Sequence, residues 1–172
     1  MNKMLFVILL LLPLFVVADD MEEAFQNGLS SDISYDDLLP LKQLVSSASD
    51  DPNDLKYICV RCSALFTALA SYFSNGVGPE ENSDKLLGGA EVMLLSATYA
   101  AKVGRDLTEN ELAEVSRRVM GSVVKHTAIV TKRINRNLVI SGEGFGKDEL
   151  LNEDLKVCGA VLDSVKKKIA VD

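Results

Sequence analysis

Apolar side chains recur every three or four positions in four long stretches of the chain, and this spacing predicts four helices. The first opens at Asp51-Pro52-Asn53-Asp54. Asp51 suits the N-cap, Pro52 the first helical position, and Asp54 the positive end of the helix dipole. Leu55, Ile58, Cys59, Cys62, Leu65, Phe66, Leu69 and Phe73 then share a face, and Asn75-Gly76 ends the run. A second helix is expected from Asn82 or Ser83 to a stop at Gly104, with Leu86, Ala90, Met93, Leu94, Ala97 and Ala101 as its stripe. Its glycines and alanines allow a neighbouring backbone to come close.

Thr108 and Glu111 form a capping box, in which each side chain meets the other residue's backbone amide. The third helix follows through Leu112, Val115, Val119, Val123, His126, Val130 and Ile134 to about Arg136. Its β-branched content from Val119 to Ile134 argues for a strand, but the cap and the period argue more strongly for helix. Asn137 to Gly146 holds three glycines and reads as a loop or a short extended segment. The fourth helix runs from Lys147 or Asp148 to Ile169, with Leu151, Leu155, Cys158, Leu162 and Val165 inward. Lys166, Lys167 and Lys168 complement the carbonyl end of that helix. Four helices of about 20 residues joined by short loops predict an all-α fold, a four-helix up-down bundle over residues 51–172.

The segment before the bundle is different in kind. Lys3 precedes an apolar run from Met4 to Val17, and Val16-Val17-Ala18 suits a cut after Ala18. Residues 1–18 are therefore expected to be a cleaved secretory signal peptide, which puts the protein in the periplasm or outside the cell. The run falls short of the roughly 20 residues of a comfortable membrane span, so no stable span is expected after cleavage. Residues 19–50 read as an acidic, partly disordered N-terminal arm, with one short helix around Leu38, Leu39, Leu41 and Leu44. Residues 19–54 carry ten acids against the single base Lys42. The arm is either a solvated leader or a docking element for a basic partner.

The whole chain has 172 residues, 48% of them apolar, and a formal charge of −7. Removal of Lys3 with the leader leaves 17 bases against 25 acids, a net of −8. That balance argues against nucleic acid as a partner, because phosphate binding requires a basic face.

The three cysteines are Cys59, Cys62 and Cys158. An oxidising compartment permits a disulfide, and Cys62 and Cys158 both fall on inward stripes; Cys59, one turn from Cys62, is the alternative partner for Cys158. A thiol-redox pair of Cys59 and Cys62 is a further reading. It is disfavoured because reactive CxxC pairs sit where a helix begins, and Cys59 lies two turns inside one. A leftover thiol leaves a route to a covalent homodimer.

His126, the single histidine, falls on an apolar stripe with no nucleophile motif to accompany it and no zinc-like spacing, so a buried or edge histidine with one hydrogen bond is expected. Lys125, Lys132, Arg133 and Arg136 cluster near the end of the third helix and form a candidate patch for an acidic partner or small anion. Gly142-Glu143-Gly144-Phe145-Gly146 lacks the strand and the GK[ST] ending of a phosphate loop and reads as a connector. No residue pattern implies a cofactor, a metal or catalysis. The chain is best read as a small secreted or periplasmic helical protein that binds another protein, in the manner of an inhibitor or immunity protein. Alternatives are a carrier holding a small apolar ligand between helices, and the redox protein built on Cys59 and Cys62.

Overall fold

A computed structural model describes residues 20–48, 51–77 and 80–169 of the chain. The predicted signal peptide, residues 1–18, lies outside the described residues. Six helices and no strand are found among the described residues, so the fold is all-α. They are α1 (residues 20–30), α2 (Leu41–Ser47), α3 (Pro52–Tyr72), α4 (Glu80–Lys102), α5 (Glu109–Ser141) and α6 (Glu149–Ile169). A 3-10 turn at Tyr35–Asp37 stands between α1 and α2, and α3 relaxes into a π turn at Phe73–Val77.

The helix starts follow their local chemistry. The Asp51 carboxylate accepts from the Asn53 amide at 2.8 Å, directly before Pro52. The Thr108–Glu111 capping box is formed as expected, and the Thr108 hydrogen bonds hold the Glu111 carboxyl below its ordinary range. At α6 the Asp148 carboxylate accepts from the Leu151 amide at 3.0 Å.

α3 is the central element and packs against α4, α5 and α6. Leu65 and Leu69 of α3, Met93 of α4, Ile129 of α5 and Leu151 of α6 are almost completely withdrawn from solvent. Among the described residues, the stretch Pro52–Asn75 is the one helix long and apolar enough to cross a membrane; 72% of its most apolar 18-residue window is buried inside the protein, as befits a core helix. Gly89 explains how α4 comes so near α3: a Cβ there would stand 3.2 Å from the Phe66 ring.

Two sequence expectations are corrected here. First, the part of residues 19–50 that is described is more ordered than the expected arm and packs on the helices that follow. It forms α1, the 3-10 turn and α2, with Tyr35 3% and Leu41 0% exposed. At Gly28, α1 crosses α5 so closely that a Cβ would sit 2.6 Å from Ala128 Cβ and 2.7 Å from the Lys125 carbonyl oxygen. The short helix expected around Leu38 to Leu44 is present as α2, whereas weak local periodicity concealed α1, whose order comes from tertiary contacts. Second, α5 does not stop at Arg136. It continues to Ser141 and ends where Gly142 takes φ 73°, a left-handed cap whose amide donates to the Leu138 carbonyl at 2.9 Å. The triplet Leu138-Val139-Ile140 is therefore helical, with Val139 87% and Ile140 71% exposed.

Candidate functional site

The Sγ atoms of Cys62 and Cys158 lie 2.11 Å apart, at disulfide distance, and link α3 to α6. Cys59 takes no part: it is a free, buried thiol, and desolvation pushes its pKa up to about 11. Neither the Cys59–Cys158 alternative nor a Cys59–Cys62 pair is formed. A thiol of this kind supplies almost no thiolate near neutral pH, the form in which cysteine reacts.

One residue before Cys62 and one turn before Cys158 lies a buried polar knot. Arg61 and Asp154 are 3% and 1% exposed, and their side chains meet at 3.4 Å. The Tyr35 hydroxyl donates to Asp154 at 2.6 Å, and the Leu41 amide donates to the same carboxylate at 2.9 Å. Arg61 also donates to the Leu39 carbonyl at 3.0 Å, and its guanidinium carbon lies 5.7 Å from the Tyr35 ring centroid. Burial first, and the Asp154 charge second, hold the Tyr35 hydroxyl far above its ordinary pKa, so it remains a donor. Every buried polar side-chain atom among the described residues has a hydrogen-bond partner. The knot fastens the segment between α1 and α3 onto the core.

The predicted basic patch faces that same segment. Arg133 donates to Asp148 from Nε at 2.5 Å and from Nη2 at 3.1 Å, and it also pairs with Asp36. Arg136 reaches Asp36 at 3.4 Å, and Lys132 donates to the Ser31 carbonyl at 2.8 Å. Burial lowers the Arg133 pKa, but hydrogen bonds to Asp148 and Asp36 outweigh it and the net shift is upward. At Asp148 burial raises the pKa; the bonds from Arg133, the Leu151 amide and Asn137 outweigh it and leave the carboxyl low. Lys125 is exposed on the same helix and contributes its backbone to the Gly28 crossing. Three of the four patch residues thus engage the acidic stretch of their own chain. The acidic arm and the basic patch, read from the sequence as sites for outside partners, meet each other.

His126 lines an open cleft of about 250 Å³ between the start of α3, the end of α4 and the first half of α5. Its Nδ1–H donates to the Ser122 carbonyl at 2.9 Å, and its ring meets Tyr57 edge-on at 5.8 Å. Burial pulls the histidine pKa down, with the Arg61 and Lys125 charges helping, so the ring is neutral near pH 7. Val60, Val115 and Val119 floor the cleft. A second open cleft of about 400 Å³ lies at the α4–α5 turn, between Tyr99, Val103, Leu107 and Leu112. Both clefts open to solvent rather than lying enclosed between helices.

Beside its core stripe, α4 and the turn after it expose four large apolar side chains. Leu87, Leu95, Tyr99 and Val103 are 49%, 63%, 62% and 44% exposed. Leu95 and Tyr99, one turn apart, form an adjacent pair on the outward side of α4; Leu87, eight positions before Leu95, is displaced around the helix, and Val103 follows its last residue, Lys102. Lys102 lies over the Tyr99 ring at 5.2 Å.

Sequence reasoning missed the knot and these exposed side chains, and signals for both existed. Arg61 is the one charge between Tyr57 and Phe73, and Asp154 stands four residues before Cys158 on the inward side of α6. The exposed apolar residues of α4 lie beside its predicted stripe. No known protein family, curated protein or solved structure matches this chain.

Proposed function

We propose that the chain is a small secreted or periplasmic helical protein whose role is to bind another protein. Its four long helices would serve as an up-down bundle scaffold. The observation that carries this reading is the exposed pair Leu95 and Tyr99 on α4, with Val103 in the turn that follows. Large apolar side chains held one turn apart on a rigid helix, next to a surface cleft, are what a protein interface uses, and a tyrosine is a common anchor in one. Export is supported by the leader pattern of residues 1–18 and by the Cys62–Cys158 pair, since disulfides persist in oxidising compartments. An inhibitor or immunity-type role suits a rigid, acidic, cross-linked body.

The test is affinity capture from the extracellular fraction with three baits: the wild-type protein, Leu95→Asp/Tyr99→Asp, and Val139→Ser/Ile140→Ser. The reading predicts a protein retained by the first and third baits and lost by the second. Equal recovery on all three would refute the α4 face as the binding surface. Sedimentation of the wild type and the α4 variant shows whether that surface instead joins two copies.

A further inference from the structure

The cleft around His126 has a charge opposite to that of the protein carrying it. On a chain of net −7, its rim holds Lys56, Arg105 and Arg118, and no carboxylate lines it. Glu114 serves both Arg117 at 2.5 Å and Arg118 at 3.3 Å, so one carboxylate is shared by two guanidiniums. Arg105 has no carboxylate partner among the described residues. Beneath this rim the cleft is apolar: Val60 and Val119 are 4% and 5% exposed, and Tyr57 and His126 pack edge to face as one wall. With Nδ1 committed to the Ser122 carbonyl, the His126 ring is fixed in orientation.

We propose that this cleft binds a small carboxylate with a short apolar tail, aromatic or aliphatic. The tail lies against Val60, Val119 and the Tyr57–His126 wall, and the carboxylate is held by Arg105 and Arg118. A cleft of about 250 Å³ admits a single small ring or a short alkyl chain, not a folded partner. Guanidiniums match the planar, two-oxygen geometry of a carboxylate, and a cationic rim over low-dielectric walls concentrates anions against the repulsion of the acidic body. The site is independent of the Leu95–Tyr99 pair on α4, so either proposal stands if the other fails.

The experiment titrates 4-phenylbutyrate, 4-phenylbutyramide and 4-phenylbutylamine into the ¹⁵N-labelled protein recovered after export, followed by amide and His126 ring shifts. Saturable shifts are expected with the acid, confined to the beginning of α3, the end of α4 and the first half of α5. The amide and the amine should bind about tenfold more weakly or not at all, and Arg105→Ser and Arg118→Ser should each weaken the acid about tenfold. Both arginines are exposed, so neither substitution threatens the fold, and unchanged circular dichroism verifies this. The proposal is overturned if the acid gives no saturable shift at millimolar concentration. Equal binding of the three probes, or unchanged binding by both arginine variants, overturns it as well.

Discussion

Asp154 is the point at which three parts of the chain are joined, and removing only its charge isolates what that junction is worth. Asp154→Asn keeps the size of the side chain and one carbonyl oxygen for the Leu41 amide. It leaves the Arg61 guanidinium, 3% exposed, without a countercharge. Breaking a buried pair from one side costs about 3–5 kcal/mol, most of it the penalty of a stranded charge. With a urea slope of about 2 kcal/mol per molar, the unfolding midpoint should fall by about 2 M. Against a total stability of roughly 5–15 kcal/mol, that is a large fraction. Removing both charges in Arg61→Met/Asp154→Asn should lose less than Asp154→Asn alone, because no uncompensated ion remains. The assay is urea unfolding of the oxidised protein for the wild type, the two single variants and the double variant. Hydrogen exchange at the Leu41 amide provides the local readout. A loss under about 1 kcal/mol in Asp154→Asn, or single losses that simply add in the double variant, would refute the reasoning. Unaltered exchange at Leu41 would show that the knot does not fasten the N-terminal segment.

Four other expectations follow from the same geometry. Trypsin cleaves after Lys56, Arg61 and Lys156, which separates Cys59 from Cys62; unreduced digests should join the peptide beginning at Cys62 to the one containing Cys158, and a Cys59 linkage would contradict the structure. With a sequence separation of 96, Cys62→Ala/Cys158→Ala should lose on the order of 4 kcal/mol of stability in denaturant melts. Cys59 in the native protein should resist iodoacetamide at pH 8 and react only after unfolding, as a thiol raised to about 11 and shut away from water requires. Asp148 titrates below the ordinary aspartate value of 3.8, so its contribution is complete above that value and is lost as pH falls through the lower folded pKa. Acid unfolding of Asp148→Asn should therefore show a shallower stability loss below pH 3.8 than the wild type, and parallel curves would refute the assignment.

The chain's own letters determined the elements whose signals are local. Asp51 and Pro52 set the start of α3, Thr108 and Glu111 set the start of α5, and a three-four apolar period set the inward faces of the long helices. The Cys62–Cys158 pairing was within reach for the same reason, since both residues fall on inward stripes. Tertiary structure alone decided everything that depended on distant residues meeting. Residues 20–30 are helical because Gly28 lets them lie on α5, and Tyr35 and Leu41 are ordered because Asp154, more than a hundred positions later, accepts from both. Leu95 and Tyr99 on α4 are exposed because nothing among the described residues covers that side of the helix. Local patterning reports which side of a helix avoids water; which neighbour satisfies it, and which charges cancel, is settled only when the whole chain packs.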